Sequence, residues 1–175
     1  MKKIFPDAFE KGSVQEKRSV IISLVLAAVV LIIDQMTKLV VAGNFELHES
    51  RPVIDGIFSW TFVLNRGAAW GILAGRTWLL LFIALVVFGL IIRFFRYLTE
   101  GYIERIIALG LVISGMVGNS VDRIWHGAVI DFIDIHYRNV WSYPVFNVAD
   151  IAICTGVGIF ILSNLLRPSG KEVAK

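Results

Sequence analysis

Ser19-Val20-Ile21-Ile22-Ser23-Leu24-Val25-Leu26-Ala27-Ala28-Val29-Val30-Leu31-Ile32-Ile33 is a run of 15 uncharged residues, followed directly by Asp34 and, four residues on, by Lys38. Three similar runs follow at residues 77–92, 106–121 and 151–166, each 16 long. Sixteen helical residues rise about 24 Å, short of a hydrocarbon core of about 30 Å. A spanning helix must therefore extend past its run. The first then carries Asp34 and Lys38 toward Ala42, and the fourth reaches back over Asp150 to Asn147. A charge at the centre of a membrane helix costs about 2.5–3.5 kcal/mol on insertion scales, which makes such residues functional candidates.

Composition agrees with a membrane protein. The chain has 175 residues, 57% hydrophobic and 18% charged, with a mean hydropathy of +0.73. Soluble domains carry about 25% charged residues. So apolar a chain is not disordered. Its only cysteine, Cys154, excludes an intrachain disulfide and a cysteine-built zinc site. The length allows one domain. The pI near 9.2 does not indicate nucleic-acid binding, because the basic residues flank the apolar runs and form no separate patch.

Eleven of the 17 Lys/Arg lie in the N-terminal arm, the 93–105 link and the tail from Arg167. The positive-inside bias makes these segments, and with four spans both termini, cytoplasmic. The expected organisation is a cytoplasmic arm at 1–18, one membrane-embedded domain at 19–167 and a cytoplasmic tail at 168–175. The spans fall at about 19–42, 76–98, 103–122 and 146–167, with outer segments at 43–75 and 123–145. Val40-Val41-Ala42 could mimic a signal-peptide cleavage site. The long arm and the intervening Asp34 and Lys38 favour an uncleaved first helix instead.

The first outer segment reads as strand. Residues 57–64 are rich in β-branched and aromatic side chains, Asp55-Gly56 marks a hairpin turn, and Pro52-Val53-Ile54 supplies the other arm. Period two puts Phe58, Trp60, Phe62 and Leu64 on one face and Asn65 on the other. Such a sheet is expected to rest on the membrane surface. Residues 125–146 suit an interfacial loop or short helix. The fold expected is an all-α membrane protein of four transmembrane helices with a small outward-facing sheet.

Several polar groups occupy these helix ends. Asp34 and Lys38 share a helix face and read best as an ion pair that offsets its own burial cost; a proton or ion pathway is the alternative. Asn119 and Arg123 lie one turn apart beside Asp122, with Gly110, Gly115 and Gly118 permitting close helix packing. Asn147 and Asp150 open the fourth helix. Either Asp131 or Asp134 could meet Asp150 where the outer loop returns to the membrane. Two carboxylates in a low-dielectric site share one proton, so one can activate water while the other protonates a carbonyl oxygen or a leaving amine. Other hydrolytic patterns fail. His48-Glu49 lacks the second zinc ligand because position 52 is Pro52. Ser114-Gly115 lacks the preceding glycine of a nucleophile elbow. Cys154 sits where a thiolate is disfavoured, and His126 and His136 read as interfacial side chains.

Five motifs occur in order: Asp34-Gln35-Met36-Thr37-Lys38, Asn65-Arg66-Gly67-Ala68-Ala69, Gly118-Asn119-Ser120-Val121-Asp122-Arg123, Val129-Ile130-Asp131-Phe132 and Phe146-Asn147-Val148-Ala149-Asp150. Together they resemble the bacterial lipoprotein signal peptidases (signal peptidase II) over roughly residues 19–167. The resemblance implies an aspartic-type intramembrane endopeptidase of the cytoplasmic membrane, working near its outer face without cofactor or metal. Its implied substrates are diacylglyceryl-modified prolipoproteins, cut on the amino side of the lipidated cysteine. It implies Asp131 and Asp150 as catalytic pair, thereby choosing Asp131 over Asp134 and Asp122. Asn65, Asn119, Arg123 and Asn147 would bind substrate, and Asp34, Lys38 and Asp122 would support them. The outer strands match a β-cradle, and 125–146 a mobile outer helix and loop. Contact with membrane lipid, inhibition by globomycin-type compounds and a monomeric state are also expected. Arg66 stands where a small polar residue is common, and 135–143 matches nothing specific. Two rival functions are a small proton-coupled transporter using Asp34, Lys38 and Asp150, and a non-catalytic scaffold. The first needs a relay across the midplane, whereas the polar residues collect at outer helix ends. The second leaves costly buried acids without a reason.

Overall fold

A computed structural model describes residues 14–68, 72–138 and 140–167. The first 13 residues of the expected arm, Ala69 of the second motif, and the tail at 168–175 lie outside the described residues.

The four apolar runs all form helix. Helix α1 spans Val14–Asn44, α2 Thr77–Arg93, α4 Ile103–His126 and α5 Val148–Leu166, with the short α3 at Phe95–Thr99. Asp34 and Lys38 are thus well inside α1. Three of these helices (α1, α4 and α5) are long and apolar enough to cross a membrane; α2 is a shorter apolar helix of 17 residues. The stretch expected to continue to residue 98 breaks at Phe94, where α2 ends and α3 begins.

Helix α4 is central and packs against both α1 and α5. Glycine makes this approach possible. A Cβ on Gly115 would meet the carbonyl of Ala149 and the side chain of Ile153, and one on Gly118 would meet Asp34. Hydroxyls add cross-links between helices: Ser114 donates to the Ala27 carbonyl at 2.7 Å and Ser23 to that of Ile106 at 2.9 Å. At the end remote from the sheet, Arg105 is fully buried. It reaches Ser163 at 3.1 Å, the Arg167 carbonyl at 2.9 Å and Glu100 at 3.3 Å. In the sequence Arg105 is simply the last basic residue of the 93–105 link, with nothing to mark it for burial.

Among the described residues, four antiparallel strands form one sheet in the order β1-β2-β3-β4, comprising β1 (Ser50–Ile54), β2 (Phe58–Asn65), β3 (Val129–Tyr137) and β4 (Trp141–Ser142). The expected hairpin is present and turns through Gly56 at φ +71°. The second outer segment departs from expectation, because half of residues 125–146 is strand where an interfacial loop or short helix was expected. Val129, Ile130, Phe132, Ile133 and Ile135 give it β-branched and aromatic character, and β2 supplies a partner edge. Gly127, left-handed at φ +69°, caps α4 by donating to the Arg123 carbonyl and reverses the chain into β3. The β2–β3 register shifts between Trp60 and Val63, which stand opposite Ile133 and Asp131. This bulge interrupts the simple alternation expected along β2. Val41, Ile130 and Phe132, with Phe45, Phe62, Leu64 and Val148 around them, form an apolar cluster that fixes the sheet to α1 and α5.

Candidate active site

The sheet end of the bundle gathers the C-terminal ends of α1 and α4, the N-terminal ends of α2 and α5, and strands β2 and β3. Asp131 enters from β3 and is 2% exposed. Asp150 enters from the first turn of α5 and is partly exposed. Both line one cavity of about 450 Å³, together with Asn65, Asn119 and Arg123. The other wall is apolar, with Leu80, Ile83, Ala84 and Val87 at helical spacing along α2.

Asparagines hold the two carboxylates. Asn147 caps α5: its side-chain oxygen accepts from the Asp150 N–H at 2.9 Å, while Asp150 Oδ2 accepts from the Asn147 N–H at 3.2 Å. Since the amide oxygen serves a backbone donor, the amide nitrogen must face the other way. It donates to Asp131 Oδ1 at 2.7 Å, with Asn119 Oδ1 at 3.1 Å also in reach. Asn147 therefore touches both aspartates. Asn65 follows the same logic: its oxygen accepts from the Gly67 N–H at 2.9 Å, so its nitrogen donates to Asp131 Oδ2 at 3.0 Å. Asn119 donates to Asp150 Oδ1 at 2.8 Å.

Burial, and then the charge of Asp150, push the Asp131 carboxyl up from 3.8 to about 7; Asn65, Asn147 and Lys38 oppose the rise. Asp131 therefore keeps a proton to near neutrality. An acid beside a second carboxylate in a partly enclosed cavity can both donate and accept protons.

Behind Asn119 lies the expected ion pair, enlarged to a triad. Lys38 Nζ is 2.9 Å from Asp34 and 2.8 Å from Asp122, and donates to Asn119 Oδ1 at 3.1 Å. All three charged residues are at most 3% exposed. Gln35, to which the sequence reading gave no role, donates to Asp34 at 3.1 Å and Asp122 at 3.1 Å. Its position one residue after Asp34 in the first motif was the available signal. Arg123, expected to bind substrate, lines the cavity but donates to the Gly67 carbonyl at 2.9 Å and to the Asn119 carbonyl at 3.3 Å. Asp134, the alternative partner left open by spacing, instead pairs with Thr61 at 2.8 Å and His136 at 3.3 Å. Cys154 is one turn from Asp150 and forms part of the cavity wall. Among the described residues no three His, Cys, Asp or Glu side chains are grouped to hold a metal ion.

Known proteins resemble this chain over most of its length. Residues 26–166 match the family described as signal peptidase (SPase) II. Lipoprotein signal peptidase of Syntrophus aciditrophicus is 43% identical over 156 residues, covering 86% of this chain and 96% of that protein. The Bacillus subtilis lipoprotein signal peptidase is 40% identical over 147 residues, covering 84% and 94%. A bacterial membrane enzyme structure obtained by the in meso method at 2.3 Å resolution superposes with a TM-score of 0.79 at 32% identity, covering 87% of this chain and 93% of that one. With the fold, the order of the motifs and the relatives in agreement over most of its length, the chain belongs to the signal peptidase II family of peptidases.

Proposed function

We propose that this protein is an intramembrane aspartic endopeptidase that removes signal peptides from diacylglyceryl-modified prolipoproteins, cutting on the amino side of the lipidated cysteine. The observation that carries the reading is the pair Asp131 and Asp150, joined through Asn147 and lining one cavity. One aspartate, ionised, takes a proton from water as its oxygen attacks the scissile carbonyl carbon. The other, protonated, gives its proton to the carbonyl oxygen. Collapse of the resulting diol breaks the C–N bond. The amine nitrogen takes the proton that the first aspartate drew from water, the second aspartate recovers a proton from a diol hydroxyl as the new carboxyl forms on the signal peptide, and no covalent enzyme intermediate forms.

The remaining parts fit this chemistry. Asn65, Asn119, Asn147 and Arg123 supply polar groups for an extended peptide backbone that lipid would leave unsatisfied. The apolar α2 wall suits a signal helix or acyl chains. Four helices cross the bacterial cytoplasmic membrane in this reading. Helix α2, about 25 Å long, reaches the inner surface with α3, and both termini are cytoplasmic. The site then lies near the outer face, where a prolipoprotein presents its scissile bond. Exposed Leu47, Val53, Ile54 and Ile57 rest the sheet on the bilayer. Globomycin-type inhibitors would compete for the same cavity, and the enzyme would act as a monomer.

The test is a gel-shift assay of purified enzyme with a prolipoprotein in modified and unmodified form. Cleavage of the diacylglyceryl form alone, leaving the lipidated cysteine as the product's first residue, is expected. Cleavage of neither form by folded enzyme, with ion flux in proteoliposomes, would favour the transporter.

A further inference from the structure

Three asparagines orient the two aspartates, and two of them have their own amides fixed by backbone N–H groups: Gly67 for Asn65 and Asp150 for Asn147. Asn119 differs, because among the described residues its amide oxygen accepts from two side chains and from no backbone N–H. It faces Lys38 Nζ at 3.1 Å and Asn147 Nδ2 at 3.1 Å. An ammonium can only donate. If the Asn119 amide flipped, its NH₂ would face two donors and its oxygen would face the Asp150 carboxylate. Lys38 therefore dictates that Asn119 points a donor at Asp150.

The same ammonium holds the segments that carry the aspartates. Asp34, bound to Lys38, accepts from the Ala149 N–H at 2.8 Å, next to Asp150. Asp122, also bound to Lys38, accepts from the Ile130 N–H at 3.1 Å, next to Asp131. One buried cation thus ties α1, α4, β3 and α5 at the residues beside the reacting carboxylates. The charged groups around it are Asp34 on α1, Asp122 on α4 and, beyond Asn119 and Asn147, Asp150 on α5 and Asp131 on β3. Arg123 lies one turn along α4 from Asn119.

We propose that Lys38 is a positioning residue of the reaction, orienting Asn119 toward Asp150 and setting the placement of Asp131 relative to Asp150 through Asp34 and Asp122. The proposal rests on the two-aspartate reading above. Its tests are steady-state kinetics per folded molecule for Lys38→Met and a pH profile for Asp122→Asn, with Asp131→Asn run in parallel. Misplacement by about 1 Å costs about 100-fold in rate. Folded Lys38→Met is expected to lose about 100-fold in kcat with a much smaller change in KM, since of the groups offered to the substrate only Asn119 is released. Asp122→Asn keeps an acceptor for Lys38 and Ile130 while cancelling less of the ammonium's charge. The alkaline limb set by Asp131 should then fall by about one pH unit. Unchanged kcat in folded Lys38→Met, or an unmoved limb in Asp122→Asn, would overturn the proposal. If Lys38→Met does not fold, the pH profile decides alone. An inactive Asp131→Asn beside an unaffected Lys38→Met would sink the positioning role and leave the aspartate pair intact. An active Asp131→Asn would sink the pair itself.

Discussion

Asp131 is where burial and reactivity meet. Its carboxyl is almost closed off from solvent, holds two asparagine donors, and keeps its proton to about pH 7. In the proposed mechanism the pair works with one proton, so cleavage is expected to decline as pH rises through about 7. Stability should follow the same group. The folded carboxyl titrates above its ordinary value of 3.8, so the folded protein binds a proton that the unfolded chain has released. That contribution is complete below about pH 4 and is lost as pH rises through about 7. Unfolding temperatures measured from pH 5 to pH 8 should fall more for wild type than for Asp131→Asn. Parallel curves for the two would contradict the raised carboxyl. In the sequence, neither spacing nor composition separated Asp131 from Asp134. They differ because the β2–β3 register gives Asp131 the asparagines and Asp134 a threonine and a histidine, a distinction that only pairing across strands creates. The motif resemblance had made the same choice.

At the scale of elements, the helices were legible because long uncharged runs have few alternatives. The strand β3 was not, because its mixture of aspartate, histidine and aromatic residues imitates an interfacial segment until β2 lies beside it. The break at Phe94 lies just past the end of the apolar run at residue 92, but the run does not say whether the helix continues beyond it. Glycine spacing on α4 was visible, but which glycine meets which helix was not. Gly115 faces the backbone carbonyl of Ala149, an atom that cannot step aside cheaply. Gly115→Ala is therefore expected to push α4 from α5 and to destabilise the protein by about 1–3 kcal/mol. Activity should drop as well, because Ala149 adjoins Asp150. Thermal unfolding in detergent checks this, and an unfolding temperature equal to wild type would contradict the packing described.

Across the whole molecule, the acids and amides of the five motifs concentrate at one end of an apolar bundle, and that asymmetry was plain from the residues alone. Asp34, Lys38, Asn119, Asp122, Asn147 and Asp150 sit near the same ends of α1, α4 and α5 and meet there. Their division of labour was not plain. Lys38 reaches three partners on two helices, Gln35 bridges two acids, and Arg123 turns to the loop after β2. Such roles depend on which amide faces which donor, and sequence spacing carries no information about that. The fold thus brings two aspartates and an apolar wall together around one cavity. The most direct test is cleavage of a diacylglyceryl-modified prolipoprotein by wild type, Asp131→Asn and Asp150→Asn, each purified in equal folded amount. The account predicts cleavage before the lipidated cysteine by wild type and none by either variant. Wild-type cleavage that persists in either variant would contradict it.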